Sequence, residues 1–171
     1  MIKKILFLIP MFAFASLANA VYIGGSIGYL TDLEEDYETG RIGFTFSQLG
    51  NTSHNLELEV GHGYNDSGWV EVRIVPVVLN YRGETNLNDS VFAYYGAGAG
   101  IAYVNADAIV GNRVYSGSDN SLVIQGFGGV GFRVNEKFSI LGGARYLRID
   151  DIDSVGSEND FGINLGVQIS F

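Results

Sequence analysis

The sequence contains no cysteine. That excludes disulfides, thiolate chemistry and a lipid-carrying cysteine at the start of a mature chain. Cations are scarce: 10 Lys and Arg stand against 19 Asp and Glu, a net charge of −9. A chain this acidic is a poor partner for nucleic acid. There is no Pro-rich tract, no low-complexity stretch and no linker, so the sequence reads as one domain with a core of ordinary size. After the first 20 residues no apolar run is long enough for a membrane-crossing helix.

Those first residues have their own pattern. Lys3 and Lys4 precede a 13-residue apolar run, Ile5 to Leu17, and Ala18-Asn19-Ala20 is a small-residue cleavage site. Residues 1–20 are therefore expected to be a secretory signal peptide, and residues 21–171 the barrel domain described below. Loss of the two lysines makes the remainder still more acidic.

What the chain has in abundance is alternation, with 24 Gly and 21 Phe plus Tyr. In the last stretch Phe161, Ile163, Leu165, Val167, Ile169 and Phe171 alternate with Gly162, Asn164, Gly166, Gln168 and Ser170. On a strand this gives one hydrocarbon face and one polar face. Its length matches the ~9–11 residues of a tilted membrane-crossing strand. Seven further segments alternate in the same way and predict strands over Val21–Leu30, Thr39–Leu49, Asn55–Gly63, Trp69–Tyr81, Ser90–Val104, Ser121–Val134 and Phe138–Ile149. In the fourth, Val70, Val72 and Ile74 oppose Glu71 and Arg73, whereas Val75 to Leu79 is continuously apolar. A bulge at Val75-Pro76 that shifts the phase is the expected explanation. The second, fourth and sixth connections are turn-like, and those at the other end are mostly longer. An even strand count with short turns at one end fits an all-β, eight-stranded antiparallel up-and-down transmembrane β-barrel with both termini on the short-turn, periplasmic side.

Polarity decides which face is the inside. The minor face carries Arg41, Glu57, Glu59, Glu71, Arg73, Arg133 and Arg145. On lipid each Arg costs roughly 2–4 kcal/mol at the midplane, so this face is expected to be the lumen, with Glu59 and Arg73 paired across the hairpin that joins their strands. On the apolar face Tyr95 and Tyr103 lie roughly 20 Å apart on a tilted strand, close to the height of an apolar membrane band. The glycine row at Gly96, Gly98 and Gly100 is expected to make room for long Arg or Tyr side chains from neighbouring strands.

The runs Val75-Pro76-Val77-Val78-Leu79-Asn80-Tyr81 and Tyr94-Tyr95-Gly96-Ala97-Gly98-Ala99-Gly100-Ile101-Ala102-Tyr103 resemble the middle of the small outer-membrane β-barrel family of opacity-type and OmpA/OmpX-type proteins. Gly128-Gly129-Val130-Gly131-Phe132-Arg133 and Ala144-Arg145-Tyr146 are similar to its later strands, and Phe171 to its terminal aromatic. The resemblance implies a monomeric barrel in the bacterial outer membrane, in contact with its lipid, with Phe171 read by the barrel-assembly machinery. It carries no shared catalytic residues.

Nothing in the sequence predicts a catalytic, cofactor or metal site. His54 and His62 are expected at opposite ends of one strand, and the adjacent Ser53 and His54 point apart on extended backbone. Of the 19 acids, 13 fall on the expected outer side: Asp32, Glu34, Glu35, Asp36, Glu38, Asp66, Asp107, Asp119, Asp150, Asp151, Asp153, Glu158 and Asp160. Carboxylates so placed suit divalent cations or a basic surface partner; a solvated, repulsive surface is the expectation they are weighed against. Eight strands leave an interior that side chains fill. The expectation is a non-enzymatic structural or surface-interaction protein, with a narrow pore as alternative and a lipid-modifying enzyme as the third reading.

Overall fold

All eight alternating segments are strands in the computed structural model, which describes residues 20–31, 35–66, 70–110, 113–150 and 157–171. In chain order they are β1 (Ala20–Leu30), β2 (Glu35–Leu49), β3 (Thr52–Asp66), β4 (Val70–Asn86), β5 (Val91–Val110), β6 (Arg113–Arg133), β7 (Phe138–Asp150) and β8 (Ser157–Ser170). Each pairs antiparallel with its sequence neighbours, and β8 pairs with β1 to close the barrel. The expected signal peptide lies outside the described residues except for Ala20, which opens β1 opposite Thr45.

The register fixes the tilt. Following paired residues from Ala20 passes Thr45, Asn55, Arg82, Gly96, Phe127, Arg145 and Gly162, and returns to β1 at Leu30. That offset between start and finish is the stagger a closed sheet needs, and it inclines every strand to the barrel axis. Closure at the far end uses the chain terminus: Phe171 N donates to Val21 O at 2.8 Å.

Three tight connections cap one end. Gly50 turns β2 into β3 at φ 59°, a left-handed value that suits glycine. Asn88 Oδ1 accepts from the backbone N–H groups of Ser90 and Val91, and Asn135 Oδ1 accepts from those of Lys137 and Phe138. In both, an Asx side chain stands in for the missing backbone partner of a turn.

The outward face is apolar throughout the middle of the barrel. Ile23, Ile27, Ile42, Val60, Leu79, Ile101, Leu122, Ile124, Ile140, Ile163, Leu165 and Val167 are all exposed. Tyr95 and Tyr103 lie on this face, as their spacing predicts. Glu57, Glu59, Arg82 and Arg145 are buried on the other face. Apolar outside and charged inside is the polarity of a transmembrane barrel.

β4 departs from expectation. No bulge interrupts it at Val75-Pro76: pairing with β5 runs in one register from Val70↔Ala108 through Pro76↔Ala102 to Asn86↔Phe92. On its other edge the ladder to β3 skips Gly61 and His62, opposite Pro76 and Val75, and resumes unchanged. A proline without an N–H removes a rung without changing phase. Ile74, Pro76, Val78, Asn80 and Arg82 therefore point inward, and Val75, Val77, Leu79 and Tyr81 outward. The same parity puts Arg73 on the outer face, its guanidinium 5.8 Å from the centre of the Tyr64 ring. It does not enter the lumen or face Glu59. The side chain of Glu71 lies outside the described residues. A register shift does occur in β2, at Phe46, where Thr45 pairs with Asn55 and Ser47 with His54.

Candidate functional site

The lumen is built in layers. Toward the end opposite the three tight turns, where β5 and β6 extend to Val110 and Arg113 and take up most of the long loop expected over Asn105–Asn120, Leu30, Tyr37, Ile74, Val78, Ala102, Val123 and Leu147 pack into one buried apolar cluster, with Val104 and Ile149 against it. Burying this much hydrocarbon fills the lumen at that end. Toward the short turns a second cluster joins Phe92, Tyr94 and Leu141, with Phe127 against it.

Between them lies a polar layer in which both buried carboxylates are hydrogen-bonded. Glu57 is 1% exposed. It accepts from Tyr22 Oη at 3.1 Å, Asn80 Nδ2 at 3.1 Å and Arg82 Nη1 at 3.4 Å, and Arg41 Nε stands 3.6 Å away. Glu59 is 2% exposed. It is gripped by both terminal nitrogens of Arg145, with Nη2 at 2.9 Å from Oε2, and Gln125 Nε2 donates to it at 3.0 Å. Gln125 ties the two carboxylate groups together. It donates to Asn80 Oδ1 at 2.8 Å and accepts from Arg145 Nη1 at 2.6 Å. Arg82 reaches on to Glu84 at 2.9 Å and lies 4.5 Å from the Tyr94 ring centre. Buried charges persist only when paired and bonded in this way.

Glycines create the width for these side chains. A Cβ on Gly43 would strike the Tyr22 ring, one on Gly129 or Gly143 would meet the Tyr94 hydroxyl, and one on Gly24 would meet Arg41. The row Gly96, Gly98, Gly100 serves different neighbours from those expected: the Phe127 ring, the Asn80 side chain and the backbone of β4 at Val77.

Of the residues expected in the lumen, Arg41, Glu57, Glu59 and Arg145 come together there. Arg133 lies at the short-turn mouth, donating to Asn86 Oδ1 at 2.5 Å and stacked 4.6 Å from the Phe92 ring centre. Sequence reasoning misses Arg82 and Glu84, because its fourth strand stops at Tyr81. The signal is present: Asn80, Arg82 and Glu84 continue the polar phase around an outward Tyr81.

The histidines lie apart, on the outer face of β3. His54 Nδ1 shares a hydrogen bond with the Tyr81 hydroxyl at 2.7 Å, and their rings stack. His62 stands opposite Glu38. Eight residues of strand separate the two, roughly 26 Å. Among the expected outer acids, Asp36 and Glu38 are exposed, whereas Asp160 is buried on the inward face of β8. Asp32, Glu34, Asp151 and Asp153 lie outside the described residues, as do the side chains of Glu35, Asp66, Asp107, Asp119 and Glu158.

No family model matches the sequence, and no curated protein matches it. Solved structures do. A major outer membrane protein from Thermus thermophilus superposes with a TM-score of 0.66 at 11% identity, over 89% of this chain and 99% of that one. Neisserial surface protein A superposes at 0.63 and 15% identity, over 89% and 96%. The outer membrane enzyme PagL superposes at 0.58 and 15% identity, over 86% and 98%. The chain has the fold of small outer-membrane β-barrels.

Proposed function

We propose that this chain is an integral protein of the bacterial outer membrane that acts without catalysis, as a structural or surface-interaction protein that presents the outer ends of its strands and their connections. The observation that carries this reading is the filled lumen. An apolar cluster covers an ion-paired layer, and Val78, Glu57 and Arg82 are each 1% exposed. Such a barrel offers a solute no path, so what remains for function is the outer surface and the outer connections. A narrow pore would need both layers to part. PagL is described as an enzyme, and the shared fold leaves room for that role. Against it, His54 is tied to Tyr81 on the outer wall and His62 faces Glu38 roughly 26 Å along the same strand, and among the described residues neither sits in a Ser–His–carboxylate set of the kind acyl chemistry uses.

The absence of native cysteine makes the orientation directly testable. A cysteine at Gly117, exposed on the outer part of β6 with open space around its Cα, should react with an impermeant maleimide on intact cells. Cysteines at Asn51 or Glu136, in the tight turns, should react only after lysis. The reverse pattern would invert the topology, and equal reaction of all three would remove the membrane assignment.

A further inference from the structure

Beyond Tyr103 the rim of the barrel is uneven. β5 and β6 run on as a hairpin to Val110 and Arg113, still paired in one register. β4 accompanies β5 as far as Ala108. On the other side, the outermost pair between β6 and β7 is Leu122↔Asp150. Asp150 also pairs with Ser157, so the chain between them is too short to run alongside the whole of β6 beyond Leu122. Among the described residues, the β7-side edge of Arg113–Asp119 has no strand partner. On a tilted strand this edge reaches roughly 20 Å past the last pair with β7.

Alternation fixes which backbone groups the edge offers. Arg133 N donates to Ser90 O, on the β5 side, and Val134 N donates to Phe138 O, on the β7 side. Neither ladder of β6 shifts register, so odd-numbered residues bond toward β5 and even-numbered ones toward β7. Val114, Ser116 and Ser118 therefore turn their N–H and C=O groups to the open edge. Natural edges are blunted by Pro, Lys or a bulge. Arg113–Asp119 contains neither Pro nor Lys, and its ladder to β5 has no bulge. Gly117 is exposed, with open space around it.

This edge is complementary to itself. Two copies set antiparallel about Ser116 pair Ser116 with Ser116 and Val114 with Ser118, and each pair exchanges both of its backbone hydrogen bonds. The same register sets Arg113 of each copy opposite Asp119 of the other, and opposite charges directly across a ladder are favourable. The two-fold axis of an antiparallel strand pair is perpendicular to the sheet. The barrel wall stands upright in a membrane, so that axis lies in the membrane plane and turns the second barrel end over end. Two copies in one membrane point the same way and cannot meet like this.

We propose that the open edge at Arg113–Asp119 pairs with the same edge of a second copy in a facing outer membrane and so tethers the two surfaces. The proposal rests on the membrane reading above. A single contact of this length is small for a stable interface, and many copies on each surface supply the strength.

The test is clustering of phosphatidylcholine vesicles into which the barrel has been refolded from outside, read by light scattering, with insertion verified by the heat-shifted band. The unaltered protein should cluster vesicles several-fold above protein-free ones. Ser116→Pro removes an N–H from the open edge and none from the ladder to β5, and it should abolish clustering, whereas Ser116→Ala should keep it. Arg113→Asp should weaken clustering, and Arg113→Asp with Asp119→Arg in the same chain should restore it. No clustering by the inserted protein, clustering that survives Ser116→Pro, or a charge swap that restores nothing would overturn the proposal. If Ser116→Pro does not fold, cysteines decide. Oxidation should link Ser116→Cys barrels into disulfide-bonded pairs and leave Val114→Cys barrels single, and equal linkage of the two overturns the proposal. Absence of the heat-shifted band from the vesicles would overturn the membrane reading, and the tether with it.

Discussion

Arg145 on β7 and Glu59 on β3 form a two-pronged ion pair across the middle of the barrel, 86 residues apart in sequence. In a ring of eight strands, β3 and β7 stand opposite one another, so the pair is a strut across the lumen. Glu59→Gln should be strongly destabilising, by about 3–5 kcal/mol, because it leaves a buried guanidinium without its counter-charge. Glu59→Gln combined with Arg145→Met should recover part of that loss. Urea unfolding of the four proteins in micelles measures the coupling, and simple additivity would show that the two side chains act independently. Arg73→Met should add to Glu59→Gln without coupling, since Arg73 lies on the outer wall over Tyr64.

The outer wall should reject charge according to depth. Leu165 is 65% exposed near the middle of β8. Leu165→Arg should reduce stable insertion, at a cost of roughly 2–4 kcal/mol near the midplane. Inserted yield, read as a folded band that shifts on boiling, checks this. A Leu165→Arg protein that inserts as well as the parent would place this face somewhere other than in lipid.

Phe171 is exposed, and its backbone N–H helps close the β1–β8 seam at Val21. Deleting it removes one hydrogen bond from the barrel and the terminal aromatic that resembles an assembly signal. Levels in the outer membrane should fall several-fold while refolding into detergent stays close to normal. Equal membrane levels with and without Phe171 would show that the terminal aromatic is not read.

Glycine positions should divide sharply by what lies over them. A Cβ at Gly131 would run into the Phe92 ring, which is itself pinned under Arg133. Gly131→Val should cost about 1–3 kcal/mol, as overpacking does. Gly117→Val, at a site with open space, should be nearly silent. Unfolding midpoints of the two variants separate these outcomes.

Much of this architecture is legible from alternation alone. β1, β5, β7 and β8 face as their patterns predict, because one face meets hydrocarbon and the other meets Gly, Ser, Gln or Arg. β4 misleads for a physical reason. Its inward residues at the outer end, Ile74, Pro76 and Val78, belong to the apolar packing in the lumen, so both faces are hydrophobic there. Alternation vanishes from the sequence while the strand keeps its phase, and a bulge is the wrong remedy. The hairpin from β3 to β4 then takes the wrong parity. Tyr64 pairs with Arg73, and Glu59 faces Val78. The strut itself is not readable in advance, because nothing local links Glu59 to Arg145; only closure of the eight-strand ring brings β3 opposite β7.

The claim that the lumen is sealed is tested most directly by ion conduction through the refolded barrel in a planar bilayer, with insertion verified by the heat-shifted band. The packed apolar cluster over the Glu59–Arg145 strut predicts a flat baseline with no stable unitary steps. Reproducible unitary steps that scale with the amount of inserted protein would contradict it.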